Sequence, residues 1–174
     1  IIGALLYGAK TPLSIAQICS TLKATAITFG GVTKQFEEIK DKVVAEAIEE
    51  LRTDFANANL GLTIAEVANG FRLQNDIRCG TWLRQLLDRG KPAKLSRPGL
   101  ETLAVIAYRQ PCTRSEIESV RGVAVDAMVR SLMELQLIKV VGRSELPGKP
   151  WLFGTTKTFL EHFGLNQLDD LPGM

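Results

Sequence analysis

Histidine is almost missing from this 174-residue chain, where His162 is the only one. A Ser or Cys nucleophile needs a base, most often histidine. His162 sits in a short amphipathic segment near the end of the chain and reads as a packing or surface residue. Cysteine is nearly as scarce. Cys19, Cys79 and Cys112 are 60 and 33 residues apart, with no C-x-x-C pair, whereas structural zinc and iron–sulfur sites need clustered ligands. The three read as buried, reduced thiols that pack as small hydrophobes in an intracellular protein. No window holds the roughly 18 apolar residues of a membrane span. The chain has neither a G-x-x-x-x-G-K-[ST] nor a G-x-G-x-x-G phosphate-binding pattern, and Gly30-Gly31 reads as a plain loop. The carboxylate pairs Glu37-Glu38, Glu49-Glu50 and Asp169-Asp170 read as solvated surface. The expectation is therefore no enzyme, no catalytic residue, no cofactor and no metal. No secretory signal is visible. The chain opens at Ile1, and its first residues read as the inside of a helix that begins upstream, so a fragment is expected.

What is present is ordinary globular material, 45% hydrophobic and 23% charged, enough for two domains of roughly 80–90 residues. Apolar residues 1–9 predict a helix. Ser14 followed by Gln17 predicts a capping box, opening a helix through Ile15, Ile18 and Leu22. Residues 24–33 read as a loop. A helix over 34–57 places Val44, Ile48, Leu51 and Phe55 on one face. Alternation over 62–68, a turn at Asn69-Gly70 and a returning strand over 71–75 predict a hairpin. Asp76 then caps a helix over 77–89, and residues 90–95 form a linker.

The second half repeats the plan. Ser96 and Pro98 open a helix that Pro111 ends, and Thr113 with Glu116 forms another capping box. A helix over 124–135 carries Met128, Leu132 and Leu135 on one face. Strands at 137–142 and 151–155, a helix at 156–163 and a loosely ordered tail complete it. Pro12 to Ile18 and Pro111 to Ile117 both read P-x-[ST]-x-x-[QE]-I. Three helices followed by a hairpin, twice over, give a mostly α fold with small β-hairpins (α+β), built as two tandem winged helix-turn-helix domains.

That architecture suggests DNA, but the charges oppose it. A third helix that enters the major groove needs donors for base edges and cations for phosphate. Residues 41–54 carry five carboxylates against two cations, net −3, and 126–134 are net −1. Basic residues remain in the linker (Arg89, Lys91, Lys94, Arg97) and the wing (Lys139, Arg143, Lys149). DNA contact is therefore expected to be weak or indirect, and a winged-helix transcriptional regulator is the alternative reading.

Leu95-Ser96-Arg97-Pro98-Gly99-Leu100 running to Arg109-Gln110-Pro111, then Arg121-Gly122-Val123, Val141-Gly142-Arg143, Pro147-Gly148-Lys149-Pro150 and Phe153-Gly154-Thr155-Thr156 closely resemble the segregation and condensation protein B family. Leu168-Asp169-Asp170-Leu171-Pro172 fits as well, and the first half is collinear through Pro12-Leu13-Ser14 and Gly70-Phe71-Arg72-Leu73. The resemblance implies a cytoplasmic, nucleoid-associated scaffold without catalytic activity. It implies a homodimer through an N-terminal domain (1–89), and a C-terminal domain (96–165, with tail 166–174) that holds the kleisin ScpA and, through it, the SMC ATPase. It implies a role in chromosome condensation and segregation during cell division. Tyr108, Arg109, Arg121, Arg130 and Arg143 lie within the matched stretches, look exposed, and are the expected partner-binding residues. Arg109 and Arg121 have a second reading as cations that close helix ends.

Overall fold

A computed structural model describes residues 1–87 and 95–173. The chain divides into two compact units, Ile1–Asp88 and Arg89–Met174. Each has its own small antiparallel sheet. Linker residues 90–94 lie outside the described residues.

The first unit opens with α1 (Ile2–Gly8) and α2 (Ile15–Phe29). The expected capping box starts α2: Ser14 Oγ accepts from the Gln17 amide at 3.2 Å, and Gln17 Oε1 accepts from the Ser14 amide at 2.9 Å. The helix continues through residues expected to form a loop. The hydroxyls of Thr21 and Thr25 donate back to the carbonyls four residues earlier, both at 2.8 Å, so neither draws the backbone out of the helix. It stops where Gly30 and Gly31 take φ of 58° and 59°, a region open to glycine at no steric cost. A 3-10 helix (Gly31–Phe36) follows, so α3 begins at Asp41 rather than at 34 and runs to Ala58. Val44 and Ile48 are fully buried on α3, and Leu51 and Phe55 pack beside them. With Leu6, Ile18, Cys19, Leu22 and Ile64 they form the core.

The hairpin pairs β1 (Leu62–Val67) with β2 (Gly70–Asn75). Its turn lies one residue earlier than expected. Val67 pairs with Gly70, and Ala68 and Asn69 take the left-handed positions with φ of 53° and 59°. Gly70 is needed in the ladder instead. Leu13 and Phe71 exchange backbone hydrogen bonds at 2.8 and 2.9 Å, and a Cβ on Gly70 would stand 3.1 Å from backbone atoms of Pro12 and Leu13. The helix expected over 77–89 is broken: Asp76 caps a 3-10 turn (Ile77–Cys79) before a short α4 (Gly80–Leu86). The bidentate Arg78 guanidinium, helped by the Arg78 amide, holds the Asp76 carboxyl at a pKa of about 2.

In the second unit α5 (Arg97–Arg109) starts at the Ser96 cap, whose Oγ accepts from the Gly99 amide at 3.2 Å. After Pro111 comes a strand absent from the sequence reading, β3 (Cys112–Thr113). Then come α6 (Arg114–Arg121), α7 (Asp126–Glu134), β4 (Ile138–Arg143), β5 (Trp151–Thr155) and α8 (Lys157–Phe163). The sheet order is β3-β5-β4. Thr113 and Glu116 form the expected capping box. The buried side of α7 is Val125, Val129 and Leu132, while Leu135 is exposed. Leu135 falls past the last helical turn, where the αR cap residue points away from the core.

The tail is ordered onto this unit rather than loose. After Gly164 (φ 68°) the Leu165 amide donates to the Leu160 carbonyl at 2.9 Å. Asp170 Oδ2 accepts from the amides of Asn166 and Gln167 at 2.9 and 3.0 Å, closing a 3-10 turn over Leu168–Asp170.

Candidate functional site

The five expected partner-binding residues sit on four elements of the second unit, and no two of them share a hydrogen bond, ion pair or ring contact among the described residues. Tyr108 and Arg109 are exposed at the end of α5, where the Tyr108 hydroxyl donates to the Pro172 carbonyl at 2.6 Å. Arg130 is exposed on α7. Arg143 on β4 lies over the half-exposed ring of Trp151, 3.9 Å from its centroid.

Arg121 departs from expectation. Its side chain is only 14% exposed. Its Nε donates to Thr102 Oγ1 at 3.2 Å, and its guanidinium is ion-paired with Glu101. Thr102 is itself fully buried and donates to the Pro98 carbonyl at 2.9 Å. Arg121 therefore ties the end of α6 to α5, and its hydrogen bond holds the Glu101 carboxyl below the usual carboxylate range.

Among the described residues, His162 and the three cysteines form no metal-binding group with one another or with carboxylates. His162 is exposed and stacks edge-on against Phe163, with centroids 5.0 Å apart. Cys19 and Cys112 are buried, and burial pushes both thiols up. Cys79 is half-buried rather than buried, because it belongs to the 3-10 turn outside the core. Among the described residues no group of three or more His, Cys, Asp or Glu side chains could hold a metal, and no helix is long and apolar enough to cross a membrane.

Surfaces are the prominent feature. In the first unit the outward side of α3 forms a groove of about 520 Å³ with Glu46, Glu49, Glu50 and Thr53 on its walls and Phe71 alongside. The two cations of that helix are already paired, Lys42 with Glu46 and Arg52 with Glu49. The end of the unit presents apolar side chains to solvent, with Ile77, Trp82 and Leu86 respectively 92%, 73% and 79% exposed. In the second unit α5, α8 and the tail enclose a groove of about 380 Å³ walled by Leu100, Ala104, Tyr108, Phe163, Leu171 and Pro172. Sequence reading missed this groove. The signal available was the apolar residues Leu165, Leu171 and Pro172 in a segment taken for a tail.

Apolar side chains left in solvent in this way are candidate contact surfaces of the two units. The sequence model described as segregation and condensation complex subunit ScpB matches residues 1–174, and the chain belongs to that family. It is 37% identical over 172 residues to segregation and condensation protein B of Syntrophotalea carbinolica, covering 99% of this chain and 79% of that one. The identity to the protein of that name from Bacillus mycoides is 44% over 135 residues, 78% of this chain and 71% of the other. The crystal structure of ScpB from Mycobacterium tuberculosis is 31% identical and aligns over 89% of this chain and 99% of that one, with a TM-score of 0.42. The family's role is in chromosome segregation and condensation.

Proposed function

We propose that the chain is a non-catalytic scaffold subunit of an SMC condensin complex, built of two winged helix-turn-helix modules. Residues 1–89 pair two copies and residues 96–165 hold the kleisin subunit, which connects the chain to the SMC ATPase. The observation that carries this reading is the character of the third helix in each unit. On α3 the exposed carboxylates Asp41, Glu46, Glu49, Glu50 and Asp54 face solvent with both cations of the helix already paired. On α7 the exposed charges are Asp126, Arg130 and Glu134, and Asp126 is paired with Arg114. A helix of this sign is repelled by phosphate, so the modules serve protein partners. The uncovered apolar side chains of α4 and the turn before it suit the contact between copies. Tyr108, Arg109, Arg130 and Arg143 supply the exposed polar rim of the kleisin surface, with Arg121 supporting it from beneath. The setting is the cytoplasm, at the nucleoid.

The test is light scattering on a sizing column, with the chain alone and then with the kleisin of the same organism. A dimer that takes the kleisin into one defined peak is expected. Charge reversal at Arg130 should weaken that peak, and an unchanged peak removes Arg130 from the surface. A chain that ignores the kleisin yet binds duplex DNA at low salt, with affinity falling steeply as salt rises, would establish the DNA-binding regulator instead.

A further inference from the structure

We infer that residues 165–172 are a strap seated in a docking groove of the second unit, and that a partner segment of the same chemistry competes with it for that place. The groove lies between α5 and α8. Its walls are apolar: Leu100 and Ala104 from α5, Phe163 from α8, and Leu171 and Pro172 from the strap itself. The strap is fixed at both ends. At one end Gly164 turns the chain back, and the Leu165 amide donates to Leu160. At the other end a single side-chain hydrogen bond, from the Tyr108 hydroxyl to the Pro172 carbonyl, reaches back to α5. Between them the 3-10 turn is closed by the strap's own Asp170.

The strap does not fill what it covers. With it in place, a groove of about 380 Å³ remains, and Leu100, Tyr108 and Phe163 are still 44%, 38% and 42% exposed. A segment that existed only to complete the core would bury those side chains. The resident segment also states what the groove accepts: Leu165 and Leu171, six residues apart across a 3-10 turn, a proline next, and a backbone carbonyl for the Tyr108 phenol. The competitor is therefore a short turn-forming segment with leucines on either side of the turn and a proline after the second. Naming the kleisin as its source rests on the function proposed above, whereas the groove and strap stand on the geometry alone.

The experiment uses the full chain and a labelled peptide of residues 165–173. Leu171→Asp puts a charge against the apolar wall and releases the strap without shortening the protein. This variant should bind the peptide saturably, one per chain, while the unaltered chain binds it at least tenfold more weakly. A peptide carrying the same Leu171→Asp change should not bind. Tyr108→Phe, which removes one hydroxyl, should raise amide exchange in residues 165–172 roughly fivefold, the factor lost with one hydrogen bond of about 1 kcal/mol. If Leu171→Asp is folded by circular dichroism and ignores the peptide, the strap is not a ligand and the inference falls. If the peptide changes the number of copies in the unaltered assembly, the strap acts between copies, and competition within one chain is overturned. The kleisin is then titrated separately. Tighter binding to Leu171→Asp than to the unaltered chain supports competition, and equal binding overturns it. A kleisin that binds neither form refutes the proposed function, leaving the peptide to decide the strap.

Discussion

The two units use one heptapeptide pattern in the same way and then diverge. In the first unit Leu13 bridges to Phe71 on the returning strand of the hairpin, and Ser14 caps the next helix. In the second Cys112 pairs with Phe153 on the returning strand, and Thr113 caps the next helix. The proline follows the preceding helix, the next residue stitches to the sheet, and the hydroxyl satisfies an orphan amide. The difference lies in what happens around this stitch. In the first unit it is a single bridge, and a glycine, Gly70, lets the backbones approach. In the second it widens into β3, and Gln110 Oε1 locks it further by accepting from the amide and hydroxyl of Thr155 at 2.7 and 3.0 Å. The last helices also differ. α8 buries Phe159 and Leu160 and carries a strap, whereas α4 leaves Trp82 and Leu86 in solvent. The second unit covers more of its own apolar surface, and the first leaves more apolar side chains in solvent.

The comparison can be broken most forcefully at the two cores. Ile48→Ala and Ile106→Ala remove fully buried side chains from corresponding helical cores, and each should cost about 2–5 kcal/mol. Urea denaturation followed through amide resonances of each unit should show the loss in the unit that carries the change. Next come the glycines. Gly70→Ala sets a Cβ against the Pro12 and Leu13 backbone, which cannot rotate away, and should cost about 1–3 kcal/mol. Gly154→Ala meets Gln110 Oε1 and Val141 Cγ1 at 3.0 Å, and moving Gln110 loosens its bonds to Thr155, so its cost in the same denaturation experiment should be comparable.

The caps come third. Ser14→Ala and Thr113→Ala should each cost about 1 kcal/mol. The Thr113 change should be the larger, because Thr113 is buried and its hydroxyl also donates to Glu116 at 2.8 Å. Equal losses would show that burial of the cap adds nothing.

The smallest effect is on acid stability. In the second unit the Arg121 hydrogen bond lowers the Glu101 carboxyl, and the Thr113 amide lowers Glu116. A carboxyl lowered by folding stabilises the protein fully above its ordinary value. That stability is lost as pH falls from the ordinary value of 4.5 through the lowered one. Asp76 in the first unit, held at about 2, retains its contribution further down from its ordinary 3.8. Acid titration of resolved amide signals should therefore perturb the second unit at higher pH than the first. Glu101 and Glu116 are exposed and Asp76 is half-buried beside an exposed arginine, so the shift in stability is small.

Much of this was legible locally. Both capping boxes, the cap at Ser96, the hairpin strands and the core positions Val44 and Ile48 follow from the spacing of a few neighbouring residues. The failures have a common cause. Residues 24–29 stayed helical because threonine hydroxyls found partners inside the helix. The hairpin turn moved to Ala68-Asn69 because Gly70 was required beside Leu13, far away in sequence. Arg121, a surface cation by composition, became a tether because Glu101 and Thr102 lie one helix away. The α5–α8 groove escaped notice because its walls come from three separated segments.

The sequence by itself therefore determined the order of elements, their caps, the repeated stitch motif, the acidic third helices and the family. These depend on residue type and on neighbours within a few positions. Only the tertiary structure decided which strand the stitch joins, which arginine is a tether and which a surface handle, and that the tail closes over a groove. Those outcomes depend on which distant segments come within hydrogen-bonding or packing distance, and residue spacing along one segment carries no record of that.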